Sequence, residues 1–396
     1  MAIINSHHIV SCINEAVGGL AQSVPNLCES FNRNLINPTI WTINYPEHGN
    51  IAKLKHTDLK LFEINNFGKI LRGYCPKFKS SLLKISSENS IIHNAGIWMW
   101  PNYYAYIASL NQNIPMILSG HGMLENWSMQ YHSFKKNIVW HAREKHILNH
   151  ASALHATSSN EARYYRELGL KNKIYIAPHG VVAPQSFTND QYKKFLDRHP
   201  ELGSKRNLLF LSRIHSKKGI YELIDTWLKD YKRHPDWQLV IVGADLENYW
   251  PSIIKKYSLT NESCITYLGA IYGDDKEIVY SLSEILILPT HSENFGHVIG
   301  EALVRKIPVI TTRNTAWTDV INSGCGWIID LNYPSISNAL REALKLDQKT
   351  LKKIGGAGLT MINNNYSWSA IGDLHAQAFK AILENKTLPK DIVYKE

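Results

Sequence analysis

A chain of 396 residues, 44% hydrophobic and 19% charged, is too long for one ordinary domain and has the composition of packed cores rather than disorder. Its five cysteines, Cys12, Cys28, Cys75, Cys264 and Cys325, are scattered and odd in number without a C-x-x-C pair, which argues against a disulfide frame or zinc site. A net charge of +9 suits nucleic acid, an anionic membrane surface or a doubly charged diphosphate, but no nucleic-acid motif or dense basic run accompanies it.

Strand-like and helix-like segments alternate along the chain, which predicts parallel sheets covered by helices on both faces. Met1–His8 has no basic n-region or long apolar h-region, and no apolar run reaches the ~18 residues that span a bilayer. The expected location is therefore the cytoplasm, with the basic charge favouring peripheral contact with the inner membrane face. The first expected strand is His8–Cys12, followed by Gly18 and Gly19 and a helix over Leu20–Asn32. Glycines at such a turn let backbone N–H groups approach a phosphate, although a plain turn reads the same way. Further strands are expected at Thr39–Asn44, Ser90–Asn94, Pro115–Gly120, Ala153–Thr157 and Lys173–Ala177, with helices at Asn102–Gln112, Phe134–His150 and Ser159–Leu168.

His121 lies between glycines at a strand's carboxyl end, a place where binding residues gather, and Glu125, Asn126 and Trp127 follow as candidate pocket residues. His93-Asn94-Ala95-Gly96 is a second cluster of this kind. Phe134–His150 is basic and amphipathic, which fits either a membrane-surface helix or, as the plainer reading, a core helix with a solvated face.

The polar stretch 184–204 reads as a linker with a short helix, after a first domain of 1–183. A second α/β domain, 205–369, then runs through strands at Arg206–Leu211, Leu239–Gly243, Ile265–Gly269, Ile285–Pro289, Val309–Thr312 and Gly326–Ile329. Two of its strand ends carry chemistry. After Leu211 come Arg213, Lys218 and Gly219, then an amphipathic helix: a planar fork and a compact cation beside a helix start suit a diphosphate, although two solvated loop cations would look alike. After Pro289 come Glu293-Asn294-Phe295-Gly296 and, two turns into the next helix, Glu301. Carboxylates accept hydrogen bonds from sugar hydroxyls, and both can face one polyhydroxylated ligand. The chain ends in an amphipathic helix that starts near Ser367 or Ser369, either of which is a fitting cap.

Arg213 with Lys218-Gly219, and the E-x7-E pair Glu293 to Glu301, resemble the retaining glycosyltransferases of family 4, whose fold is GT-B. Ala16-Val17-Gly18-Gly19, His121-Gly122 and Pro178-His179-Gly180-Val181 are similar to further segments of that family, so the resemblance covers nearly the whole chain. Three positions depart from it: His179 where Asn is usual, Lys306 where Gly is usual, and Asp319 where Glu is common.

The resemblance implies two Rossmann-like domains facing across a cleft, with the last helix, 370–388, returning to the first domain. It implies transfer of a sugar from a nucleoside diphosphate-sugar to a saccharide or lipid-linked hydroxyl, with retention, in surface polysaccharide or lipopolysaccharide synthesis. Arg213 and Lys218 would stabilise the leaving diphosphate, Glu301 hold the ribose, Glu293 the donor sugar, and backbone around Asn294, Phe295 and Gly296 the ring. Gly18 and Gly19 would contact the diphosphate or the acceptor beside it, His121 would lie near the donor sugar's 6-position and the acceptor, and backbone near Ile271 would meet the base, with UDP donors favoured over GDP-mannose. No cofactor is implied, and without an Asp-x-Asp pair no metal is expected. The rivals are an epimerase of the same architecture, a nicotinamide dehydrogenase, against which the missing G-x-G-x-x-G counts, and a non-catalytic carbohydrate-binding protein.

Overall fold

A computed structural model describes residues 2–14, 18–125, 129, 133–260 and 263–395, with the side chains of 133–135 and 231 outside the description. The chain divides into two compact units, Met1–Gly180 with Tyr366–Glu396, and Val181–Asn365.

The first unit is built on β1 (Ile4–Val10), β2 (Ile36–Asn44), β3 (Asp58–Glu63), β4 (Ser90–Ala95), β5 (Met116–Ser119), β6 (Ala153–Ala156) and β7 (Ile174–Ile176). They form one sheet in the order β3-β2-β1-β4-β5-β6-β7, and every pair is parallel. The inner strands are largely buried, as helix-covered parallel strands must be, but β1, β4, β5 and β6 carry polar side chains among the apolar ones. Edge strand β3, absent from the sequence expectation, exposes Asp58, Lys60, Leu61 and Glu63 and buries little.

One sheet face is covered by the last helix. Ile371, Ala378 and Phe379 of Trp368–Leu383 pack with Ile91, Ile117 and Tyr175 of the sheet. Ser367 caps this helix through its side chain, which accepts from the Ala370 amide, so of the two expected serines it is the one used. Beyond the helix, Ile176 N–H donates to the Ile392 carbonyl at 2.7 Å and stitches the chain's end to β7.

The second unit contains β8 (Arg206–Leu211), β9 (Trp237–Val242), β10 (Ile265–Tyr267), β11 (Ser283–Leu288), β12 (Val309–Thr312) and β13 (Gly326–Ile329), in the parallel order β10-β9-β8-β11-β12-β13. In both sheets the order reverses beside the first strand of the unit, the doubly wound pattern that puts ligands at the carboxyl ends of its strands.

One expectation holds and one is corrected. Residues 184–204 contain the expected short helix, Asn189–Arg198, and group with the second unit. A Thr188/Gln191 capping box starts that helix, and fully buried Phe195 anchors it. The segment Phe134–His150 is not one α-helix. Helices Ser133–Val139 and Lys145–His150 flank a π-helical turn, Trp140–Glu144, whose Trp140 and Glu144 are both buried.

Candidate functional site

In the second unit, the loop after β8 is held against the loop after β11. Gly219 has φ +70°, and a Cβ there would fall 1.7 Å from the Pro289 carbonyl oxygen, so only glycine permits the approach. The Lys217 carbonyl accepts from His291 N–H at 2.8 Å and from Thr290 Oγ1 at 3.0 Å. This clamp brings Lys218 and Glu293 together: Lys218 Nζ donates to Glu293 Oε2, with both side chains mostly buried. Glu293 N–H also donates to the Asn314 carbonyl at 3.0 Å, tying in the loop after β12.

Arg213 is exposed in the same β8 loop. Its charge is felt at His215, whose pKa burial lowers; Glu247 opposes that shift, while Arg213, Lys218 and Lys217 reinforce it. The β8 loop is thus a cationic lip facing a carboxylate.

Glu301 has a different surrounding. It lies on the helix His297–Val304, which starts at left-handed Gly296. Lys276 Nζ lies 2.9 Å from Glu301 Oε1 and 2.8 Å from Oε2, and Tyr280 OH donates to Oε2 at 2.7 Å. Burial raises the Glu301 pKa, but the Lys276 charge and these hydrogen bonds outweigh it and hold the carboxyl below its usual range. His297, one turn before Glu301, is lowered by burial against the pull of both glutamates.

Phe295 and Gly296 are buried, and Trp317, itself wholly buried, donates its indole N–H to the Phe295 carbonyl. A Cβ on Gly296 would sit 2.9 Å from Glu293 Cγ, and one on Gly300 would meet the Trp317 ring at 2.9 Å. Asn294 is half-buried in this turn, and Ile271 is half-buried in the loop between β10 and the helix Gly273–Ser281. Lys276, Tyr280, His297 and Trp317 escaped the sequence reading. Lys276 and Tyr280 carry an i,i+4 signal on one helix face, but nothing local ties that face to Glu301.

The first unit holds the other candidates. Gly18 has φ +96° and caps the helix Gly19–Ser30, and among the described residues no atom lies within 4 Å of where a Cβ would be. The paired Ala16 and Val17 lie outside the described residues, as do Asn126 and Trp127. His121 follows β5 with φ +49°, and its ring stacks on His179 at 5.3 Å and 11°. The departure from Asn at position 179 thus gives His121 an aromatic neighbour. Gly122 N–H donates to Glu161 Oε1 at 2.6 Å, which fixes the turn, while Glu125 is buried.

His93 is no strand-end ligand. It lies inside β4 within a chain of buried side chains. His155 Nε2 donates to the Ala177 carbonyl at 2.8 Å, because a carbonyl only accepts. The neutral ring then leaves Nδ1 to accept from Ser119 Oγ at 2.7 Å. Ser119 accepts in turn from His93 Nε2 at 2.7 Å, and His93 Nδ1 accepts from His8 Nδ1 at 3.0 Å. Ser6 Oγ closes the row by donating to His8 Nε2 at 3.0 Å. Burial keeps these rings neutral, pushing His8 down to about 3 and His155 to about 4.

Residues 17–183 match the family model for Glycosyltransferase Family 4, and residues 192–360 that for Glycosyl transferases group 1. The chain is 26% identical to the capsular polysaccharide biosynthesis glycosyltransferase CapM of Staphylococcus aureus, over 50% of this chain and 53% of that one. It is 21% identical to the D-rhamnosyltransferase WbpZ of Pseudomonas aeruginosa, over 86% and 85%. The chain spans about half the length of the first curated relatives it matches, 53% and 55%, and more of WbpZ. Among solved structures, sucrose-phosphate synthase of Thermosynechococcus elongatus superposes with a TM-score of 0.71 at 18% identity, covering 97% of this chain and all of that one. HepE of Anabaena, solved with UDP and glucose, gives 0.70 at 14% identity, covering 96% and 100%. The fold is GT-B, and each half of the chain matches a glycosyltransferase family model.

Proposed function

We propose that the protein is a retaining, metal-independent glycosyltransferase that moves a sugar from a nucleoside diphosphate donor to a hydroxyl of a saccharide or lipid-linked acceptor. The observation that carries this reading is the clamp between the β8 and β11 loops, which sets the Lys218 ammonium against the Glu293 carboxylate at the strand ends. Such a pair is suited to a ligand with an anionic and a hydroxylated half: the diphosphate draws on Lys218 and Arg213, and sugar hydroxyls donate to Glu293. Glu301, kept ionised by Lys276, accepts from the ribose. Backbone of Asn294, Phe295 and Gly296 fixes the sugar ring, and backbone near Ile271 meets the base. In the first unit, Gly18 and Gly19 offer amides to the donor phosphates, His121 serves the reacting sugar, and Glu125 supports the acceptor.

UDP-sugars are the favoured donors, with GDP-mannose the second choice; HepE among the structural neighbours was solved with UDP-glucose. The role we propose is surface polysaccharide or lipopolysaccharide synthesis; the similarity to CapM, named for capsular polysaccharide biosynthesis, supports the polysaccharide part. Among the described residues no helix is long and apolar enough to cross a membrane. We place the enzyme in the cytoplasm, with peripheral contact at the inner membrane face.

The test is thermal shift of the purified protein with UDP, GDP, ADP, CMP and NAD in the absence of metal. One selective nucleoside diphosphate should raise the melting temperature, and Arg213→Ala should remove the shift while leaving the fold intact. With the matching sugar donor and an acceptor, Arg213→Ala should lose about 10²–10³-fold in turnover. A shift by NAD alone, or release of an altered free sugar without acceptor, overturns the assignment.

A further inference from the structure

The second unit has a large cavity that the donor site does not use. Its volume is about 1260 Å³, larger than the ~300–1,000 Å³ of an ordinary small-molecule site, and it lies wholly within this unit. Its floor is the amino end of the sheet, where Arg206 begins β8 and Ser283 begins β11. The Arg213 and Glu293 loops leave the opposite, carboxyl end of the same strands.

Its walls divide into fixed and unspent charge. Arg206 is fixed: Glu284 takes it bidentately at 3.1 and 2.6 Å, and it lies 4.1 Å over the Trp237 ring. Arg305 is fixed likewise by Glu277, at 2.8 and 2.5 Å. Those pairs cancel. What remains on the lining is Lys205, whose Nζ donates to the Cys264 thiol at 3.2 Å, with exposed Lys306 and Lys352, against the single carboxylate of Asp236. Among the described residues no ion pair holds Lys306 or Lys352. The surplus is two positive charges, which matches a phosphate monoester near pH 7. On another wall Phe187 and Tyr192 stack at 6.1 Å and 11°, an apolar platform of a size to meet the C–H face of a sugar ring.

We infer that this cavity binds a phosphorylated saccharide, with Lys306 and Lys352 on the phosphate and the Phe187–Tyr192 pair under the sugar. The wall also reaches Glu301. Tyr280 lines the cavity and donates its hydroxyl to Glu301 Oε2, while Arg305 lies 4.7 Å over the Tyr280 ring and donates Nη1 to the Glu301 carbonyl at 2.6 Å. An occupant that moves Arg305 or Tyr280 therefore acts on Glu301. This coupling, unlike the binding, rests on the reading of Glu301 as a donor contact.

The test is calorimetric titration of the full chain with glucose 6-phosphate, using free glucose and inorganic phosphate as controls. Glucose 6-phosphate should bind wild type and Arg213→Ala alike, and more tightly than either control. The Lys306→Glu/Lys352→Glu double variant should weaken it about tenfold or more. Lys306→Gly/Lys352→Ala, which adds no carboxylate and relieves the left-handed Lys306 backbone at φ +60°, should weaken it as well. The ligand-free melting temperature serves as the fold control, and UDP binding as the separate readout of the donor site. Loss of glucose 6-phosphate binding in Arg213→Ala, its survival in both lysine variants, or no binding at 10 mM (roughly the weakest useful affinity) overturns the site. At saturating glucose 6-phosphate the UDP affinity should change about fivefold, and Tyr280→Phe should shrink that change. An unchanged UDP affinity overturns the coupling alone.

Discussion

The most extended buried polar features of the two units are of different kinds. The first threads uncharged groups across its sheet, from Ser6 through His8, His93, Ser119 and His155 to the Ala177 carbonyl. The second keeps full charges in opposed pairs near strand ends, Lys218 with Glu293 and Lys276 with Glu301. A neutral row needs each hydrogen placed correctly but costs little desolvation, so it can lie inside the core. An ion pair costs more to bury and stays near the surface, where a ligand can compete for its members. The first device suits a scaffold and the second a binding site.

Acid should separate the units most strongly. Each histidine of the row has a folded pKa below its unfolded value of about 6.5, so the unfolded chain takes up protons that the folded one refuses. Stability is therefore full above pH 6.5 and falls as pH drops from there toward the folded values, about 3 for His8 and about 4 for His155. At pH 5 the loss is about 2 kcal/mol for each of His8 and His155, and buried His93 adds to it in the same direction. Glu301 is depressed instead, and its contribution survives until pH falls below the usual carboxylate range. Hydrogen exchange at pH 7 and pH 5 should show β4–β6 deprotected well before β8 and β11. Simultaneous loss of both sheets would sink the contrast.

Ser119→Ala comes next. It strands the His93 Nε2 donor and the His155 Nδ1 acceptor, both buried, and should cost about 3 kcal/mol in urea unfolding. Lys276→Ala removes the partner of a carboxylate that keeps some solvent exposure, so about 2 kcal/mol is expected rather than the full cost of a buried charge. Only the Lys276 effect should shrink in 1 M salt. If salt also halves the Ser119 effect, the row carries charge and its tautomer order is wrong.

What the sequence revealed follows from how local each signal is. The β8 and β11 loops were legible because each is a contiguous motif after an apolar strand, and Gly219 marks the close approach in a single letter. Strand β3 was not, since an edge strand with four exposed positions lacks the apolar run of its neighbours. Residues 184–204 looked like linker with a short helix because that helix buries chiefly Phe195. The histidine row was invisible for a different reason. Its members lie 2 to 85 residues apart and meet only through parallel register, in which His8 faces His93 and Ser119 faces His155. Lys276 was missed likewise, because its partner is 25 residues away.

The smallest effect tests whether the last helix is part of the neutral scaffold. Tyr175 on β7 and His375 on the helix Trp368–Leu383 are both buried, and Tyr175 OH lies 3.0 Å from His375 Nδ1. The His375 ring also stands 4.6 Å from that of His155, so helix and histidine row share one polar seam. Tyr175→Phe keeps the ring and its packing and removes a single hydrogen bond, at a cost of about 1 kcal/mol. If the helix opens locally rather than with the whole unit, that cost appears as about fivefold faster amide exchange in Trp368–Leu383, with β1 unchanged. Equal acceleration in β1 and the helix would instead mean that they open together, making the C-terminal helix as integral to the first unit as its central strand.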